Sequence, residues 1–295
     1  MALQRLLHGI GQVETSAVTP ESSEEEFGFP RWVIPSLAHF LEPFWDTTVR
    51  HDLSFSSRDF IREAGIHLRL TLDWSGTRRR TAQSLWAATY RDPEKLVALV
   101  DLALRNILIG YTYQDCDFAA HELDRDLRNA GSACQVREVP GRAEYFLERR
   151  VDPATTEVLD TLVSEGTDAG THLSEAWTKA FGEKPDPGDA YAEALKAVEA
   201  AAGPVVCPND RMATLGKMIG ELRANAPKWT CTFTEPTKDQ KTPVEVVISM
   251  MDMLMTNHAD RHPPVTPITQ EQAESAVHLA LTLVQMFRSG AITRR

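Results

Sequence analysis

No stretch of this sequence approaches the ~18 consecutive apolar residues of a membrane-spanning helix, so nothing in it predicts a membrane partner. Cysteine is scarce. Cys116, Cys134, Cys207 and Cys231 stand far apart with no C-x-x-C pair, which argues against a zinc site or disulfide framework and reads as free, buried thiols. Positive charge is also short: 31 Lys and Arg face 42 Asp and Glu, for a formal net charge of −11. Broad non-specific binding to DNA or RNA needs basic surface to displace counterions and is disfavoured, although a small local basic cleft remains compatible with this balance. A phosphate-binding glycine loop, a G-x-S-x-G elbow and an H-E-x-x-H zinc motif are all missing. The opening M-A-L-Q-R-L-L-H-G-I-G has neither a long apolar core nor an A-x-A-like cleavage site, so a cytoplasmic protein is expected.

What is present is ordinary globular material. Apolar residues make up 42% and charged residues 25% of 295 residues, enough chain for two domains. Residues 1–29 are polar and acidic after a short apolar start and read as a flexible tail. Order is expected from Pro30, where Trp32, Val33, Leu37, Phe40, Leu41 and Phe44 recur at helical spacing. Helices follow behind the Ser56-Ser57-Arg58-Asp59 cap through Leu70, near 81–90, from Lys95 to Ile109 behind the Asp92-Pro93-Glu94 start signal, and from about Asp117 to Asn129. Alternation around Pro140-Gly141 predicts one β-hairpin near 133–151, the only one expected. Asp152-Pro153 returns the chain to helix, with further helices near 153–165, 168–181, 187–202, 210–224, 242–256 and 270–289. The fold class is therefore mainly α, with an N-terminal helical domain over 30–165 and a C-terminal helical domain over 166–295.

Two stretches carry candidate chemistry. The helix after Asp186-Pro187 has a small-residue face (Ala190, Ala194, Ala197, Ala201) with Glu199 beside it. Glu199 is either half of an exposed i,i+3 ion pair with Lys196 or the acid of a site. The segment Asn257-His258-Ala259-Asp260-Arg261-His262 is the densest group of chemically able residues. There, His262 suits general acid/base work and Arg261 a phosphate; the plain alternative is a polar helix end favoured by the dipole. His258 and His262 have no third ligand nearby, so no metal or other cofactor is expected. Arg78-Arg79-Arg80 is the one basic run, either a solvated helix start or a phosphate contact, and His278 on an apolar face reads as a core histidine.

Three segments together resemble the C-terminal domain of bacterial abortive-infection proteins, a branch of the HEPN superfamily of helical domains. They are A-G-T-H-L-S-E-A-W-T-K-A-F-G (Ala169 to Gly182), A-Y-A-E-A-L-K-A-V-E-A-A-A-G-P-V-V with A-T-L-G-K-M-I-G-E-L (Ala213 to Leu222), and D-R-H-P-P with A-E-S-A-V-H-L-A-L-T-L-V-Q-M-F (Ala273 to Phe287). The likeness covers residues 168–288. It implies an antiparallel helical bundle, a homodimer, and metal-independent RNA cleavage through the ribose 2′-hydroxyl, triggered by infection through a phage-derived or protein signal. On matching positions His262 takes the place of the family's histidine and Glu199 that of the acid of the first core helix, with Asp260 as a second orienting acid. Asn257 and His258 fall where the family's arginine and its polar neighbour stand. No arginine lies four to six residues before His262, and Arg261 is adjacent instead. This departure leaves open a non-catalytic dimerisation or ligand-sensing module that regulates a separate effector.

Overall fold

The computed structural model describes residues 29–45, 57–140, 144–210, 212–234, 240–256 and 267–295. Residues 1–28 of the acidic tail lie outside them, as does the 257–262 segment with Asn257, His258, Asp260, Arg261 and His262. The protein is mainly helical, with two short two-stranded antiparallel sheets among the described residues. No described helix is long and apolar enough to cross a membrane. The chain divides into two compact units, Met1–Arg150 and Val151–Arg295.

The first unit holds α1 (Ile34–Leu41), α2 (Ser57–His67), α3 (Arg78–Thr89), α4 (Pro93–Arg105), α5 (Ile107–Gly110) and α6 (Cys116–Asn129), then β1 (Cys134–Val139) and β2 (Glu144–Arg149). The start signal at Asp92 works as its sequence suggests. Its carboxylate accepts from the Lys95 amide at 3.2 Å, and Pro93 occupies the first helical position. α4 is buried from Leu96 through Leu104 and forms the centre of the unit.

The single helix expected to Ile109 is broken at Asn106. Its backbone leaves the helical region there (φ −114°, ψ 29°), while its side-chain amide donates to the Leu102 carbonyl at 2.9 Å alongside its own backbone amide at 3.1 Å. The predicted hairpin is present, with Cys134 opposite Arg149 and Val139 opposite Glu144. Buried Asp101 fastens it to α4: one carboxylate oxygen accepts from the Leu147 amide at 2.8 Å and the other from Arg105 Nε at 2.7 Å.

The second unit holds α7 (Pro153–Ser164), α8 (Asp168–Phe181), α9 (Pro187–Val206), α10 (Leu215–Ala224), β3 (Trp229–Cys231), α11 (Pro243–Thr256), α12 (Gln270–Arg288) and β4 (Ile292–Arg294). The sequence reading assigned residues 153–165 to the N-terminal domain. Here Leu159 and Leu162 of α7 are buried in the core of the second unit.

α9 is the central helix, packed on both α8 and α12. Its Ala190, Ala194 and Ala197 are fully buried, and α12 buries Ala273, Ala276 and Ala280, so small side chains let the backbones approach closely. Asp186 caps α9 by accepting from the Asp189 amide at 3.1 Å, and Thr269 with Gln272 forms a capping box on α12. The β3–β4 ribbon is a second small sheet beside the one expected hairpin. Its three-residue strands pair across a long stretch of sequence, Trp229 with Arg294 and Cys231 with Ile292, and so carry neither alternation nor a shared turn. The cysteines are all free, but only Cys116 and Cys134 are buried; Cys207 and Cys231 are half-buried.

Candidate functional site

A cluster of charged side chains around one buried acid lies along the α8–α9 hairpin. Residues four or three apart share a helix face. His172, Glu175 and Lys179 line one side of α8, and Asp189, Glu193 and Lys196 line the facing side of α9. The five-residue connection makes the helices antiparallel, so the contacts run in opposite directions. Lys179 Nζ meets Asp189 at 2.6 Å near the turn, and His172 meets Glu193 farther along.

Glu193 is the centre of this group and only 6% exposed. One of its carboxylate oxygens lies 2.7 Å from His172 Nδ1, and the other accepts from Lys196 Nζ at 2.7 Å. Burial pushes its pKa up, but the hydrogen bonds from Lys196 and His172 outweigh that and hold it below the usual carboxylate value. Glu193 is therefore ionised and can only accept. Nδ1 of His172 is thus the donor, and in the neutral imidazole Nε2 keeps a free lone pair. The His172 and Lys196 side chains remain 31% and 50% exposed, so both partners of the buried acid reach solvent. The same carboxylate raises the Lys196 pKa and keeps it cationic.

This arrangement corrects the reading of Lys196 as a partner for Glu199: Lys196 pairs with Glu193 instead. Glu199 is half-buried and reaches α10, where its carboxylate accepts from the Leu215 amide at 2.6 Å. Thr214, at the N-cap position, makes no side-chain cap bond, so Glu199 supplies the cap from a neighbouring helix. Glu199→Ala is accordingly expected to lose about 1 kcal/mol of stability. Hydrogen exchange should locate the loss, with the Leu215 amide exchanging faster in the variant; unchanged protection there would exclude the cap. His278 also departs from expectation. It is exposed, with its ring against Trp177 and Phe181 at centroid distances of 6.0 and 5.5 Å.

Tyr191, on α9, donates to the Leu254 carbonyl at 2.9 Å and so holds the C-terminal end of α11. The expected segment Asn257-His258-Asp260-Arg261-His262 follows that helix in sequence. His172, Glu175 and Glu193 also each offer one ligand atom, all within 4.8 Å of one another, which is the geometry of a possible cation site. Sequence reasoning missed His172 and Glu193, although His172 stands within the first segment of family likeness. The available signal was the i, i+3, i+7 polar spacing on α8 facing i, i+4, i+7 on α9.

Comparison with protein-family models, with curated proteins and with solved structures gives no match to this chain.

Proposed function

We propose that this chain is an abortive-infection type anti-phage defence protein whose second unit is a metal-independent endoribonuclease. The observation that supports this reading is the buried Glu193 holding a half-exposed imidazole and a half-exposed ammonium at 2.7 Å each. Cleaving RNA without a metal requires a base for the ribose 2′-hydroxyl and a cation for the phosphate oxygens. In this reading His172 Nε2 takes the 2′-hydroxyl proton, the freed oxygen attacks the adjacent phosphorus, and the bond to the 5′-oxygen breaks. Lys196 stabilises the charge on the phosphate oxygens. His262 is the proposed acid that returns a proton to the 5′-oxygen, with Arg261 on the phosphate and Asp260 orienting. A second copy of the chain is the proposed partner and infection the proposed trigger.

The test is cleavage of a ribo-oligonucleotide in EDTA, with a matched substrate bearing a 2′-deoxy sugar at each position. Cleavage of the first and not the second, leaving a 2′,3′-cyclic phosphate, is the expected result. No cleavage of either, by a protein that still confers phage resistance, would turn the reading to a non-catalytic regulatory module. A second reading has its own support in the His172–Glu175–Glu193 grouping, which fits a divalent cation. Activity lost in EDTA and restored by a divalent metal would select it. The Lys196 ammonium already bonded to Glu193 weighs against it, since a second cation would meet that positive charge.

A further inference from the structure

The first unit carries a groove of about 410 Å³ lined by Arg58, Trp74, Gly76, Arg78 and Thr81. We infer that it binds a nucleotide, with the base on the Trp74 ring and a phosphate between Arg58 and Arg78. The volume falls within the ~300–1,000 Å³ of small-molecule sites.

The chemistry of the lining points to an aromatic anion. Trp74 is a large apolar ring left 44% exposed. Arg58 lies over it at the limit of cation–π range, 6.0 Å from guanidinium carbon to ring centroid. Arg78 is half-buried. Among the described residues neither guanidinium has a carboxylate partner.

The neighbouring acids are engaged elsewhere. Asp59 meets Arg62 at 3.3 Å, and Asp73 meets Arg80 at 3.7 Å while accepting from the Ser75 amide and hydroxyl. Those Ser75 bonds hold the Asp73 carboxylate below its usual pKa, so it stays charged and occupied within its own turn. In a chain of net charge −11, two uncompensated arginines facing one groove leave an unmet demand for an anion. Guanidinium groups match phosphate oxygens in a bidentate fork, and any base stacks on an indole.

The loop is built to present this surface. Thr81 is buried and donates to the Asp73 carbonyl at 2.9 Å, fixing the residue before Trp74 onto α3. A side chain at Gly76 would sit 2.7 Å from Arg80 Cδ. Glycine there leaves room for Arg80 to lie across the turn and reach Asp73 at 3.7 Å. The Arg78-Arg79-Arg80 run thus splits by role: Arg80 closes the turn, Arg78 lines the groove and Arg79 does neither.

A free nucleotide and a nucleotide unit within single-stranded RNA present the same chemistry. The experiment uses the full chain and a short labelled 2′-O-methyl oligoribonucleotide, which cannot be cleaved through its 2′-oxygen. Its outcome is therefore separate from the ribonuclease reading. Binding is followed by fluorescence anisotropy, with competition by uridine monophosphate and by inorganic phosphate, and circular dichroism checks the fold of each variant. Trp74→Ala, Arg58→Gln and Arg78→Gln are each expected to weaken binding by about five-fold or more, and Trp74→Phe to retain most of it. Arg79→Gln should change it by less than about two-fold. The oligomer binding far more tightly than the mononucleotide marks a strand-binding site; equal affinity marks a free nucleotide; both support the inference. It is overturned if wild type binds neither, if Trp74→Ala binds as wild type, if Arg79→Gln loses as much as Arg78→Gln, or if inorganic phosphate competes as well as the nucleotide.

Discussion

The double variant His172→Leu/Lys196→Met is expected to lose about 3 kcal/mol of stability at neutral pH, more than Glu193→Gln loses. The difference comes from which group is buried. Glu193 is 6% exposed and depends on two hydrogen-bond donors at its rim, an imidazole and an ammonium. Removing both donors strands a carboxylate inside the α8–α9 interface, whereas neutralising the acid leaves His172 and Lys196 free to turn toward water. Because those side chains are 31% and 50% exposed, water reaches the stranded acid, which puts the loss at the lower end of the range for broken buried pairs. Urea melts of the variants against wild type measure it. Equal losses from Glu193→Gln and the double variant would remove the argument that Glu193 is the buried member.

The pH dependence carries the same logic with opposite signs. In wild type the folded pKa of Glu193 is lowered, so its contribution is present above the ordinary carboxylate value and is lost as pH falls through the folded value. In the double variant burial acts without compensation and places the folded pKa above the unfolded one. The penalty is then full at neutral pH and fades as acid protonates the side chain. The stability gap between the two proteins should therefore narrow steadily from pH 7 toward pH 4. A constant gap would mean that lost packing, not charge, sets the difference. Activity adds a further readout. His172→Ala should lower cleavage about 10²- to 10⁴-fold. If His262→Ala alone abolishes it while His172→Ala leaves it intact, the chemistry belongs to the 257–262 segment and the α8–α9 cluster is structural.

The order of helices was legible because caps and periodicity are local. Asp92-Pro93, Asp152-Pro153 and Asp186-Pro187 each open a helix where the sequence says. Two kinds of feature were not legible. The β3–β4 ribbon joins residues far apart, and the break at Asn106 interrupts a run whose apolar spacing continues on both sides of it. The site divided in the same way. Glu199 stood out as a lone acid among alanines, yet it reaches an amide at the start of α10, sixteen residues on. Glu193 did not stand out, because its burial and its His172 partner arise only when α8 folds back on α9. A buried acid is visible in sequence only as an acid, and its burial is a tertiary fact.

The packing that sets α8 in place should reveal itself through one glycine. Replacing a helical glycine by alanine ordinarily stabilises by up to about 1 kcal/mol, and Gly220→Ala in α10, where an added Cβ meets nothing within 4 Å, is expected to do so. Gly170→Ala should have the opposite sign and lose about 2–3 kcal/mol. A Cβ at Gly170 would sit 2.4 Å from the Leu162 carbonyl oxygen and 3.2 Å from Val163 Cα. Those atoms are backbone at the end of α7 and cannot rotate away as a side chain would. Relief requires α7 and α8 to separate, which draws Leu159 and Leu162 from the core they are buried in. Thermal melts of the two variants measure the contrast, and a Gly170→Ala protein as stable as Gly220→Ala would show that the helices are not in such close contact. The consequence reaches the candidate site, because His172 lies two residues beyond Gly170 on the same helix. Any shift or rotation of α8 that accommodates the methyl group moves the imidazole relative to Glu193. Gly170→Ala should therefore also lower RNA cleavage under conditions where the protein remains folded, by disturbing the 2.7 Å contact that orients the proposed base.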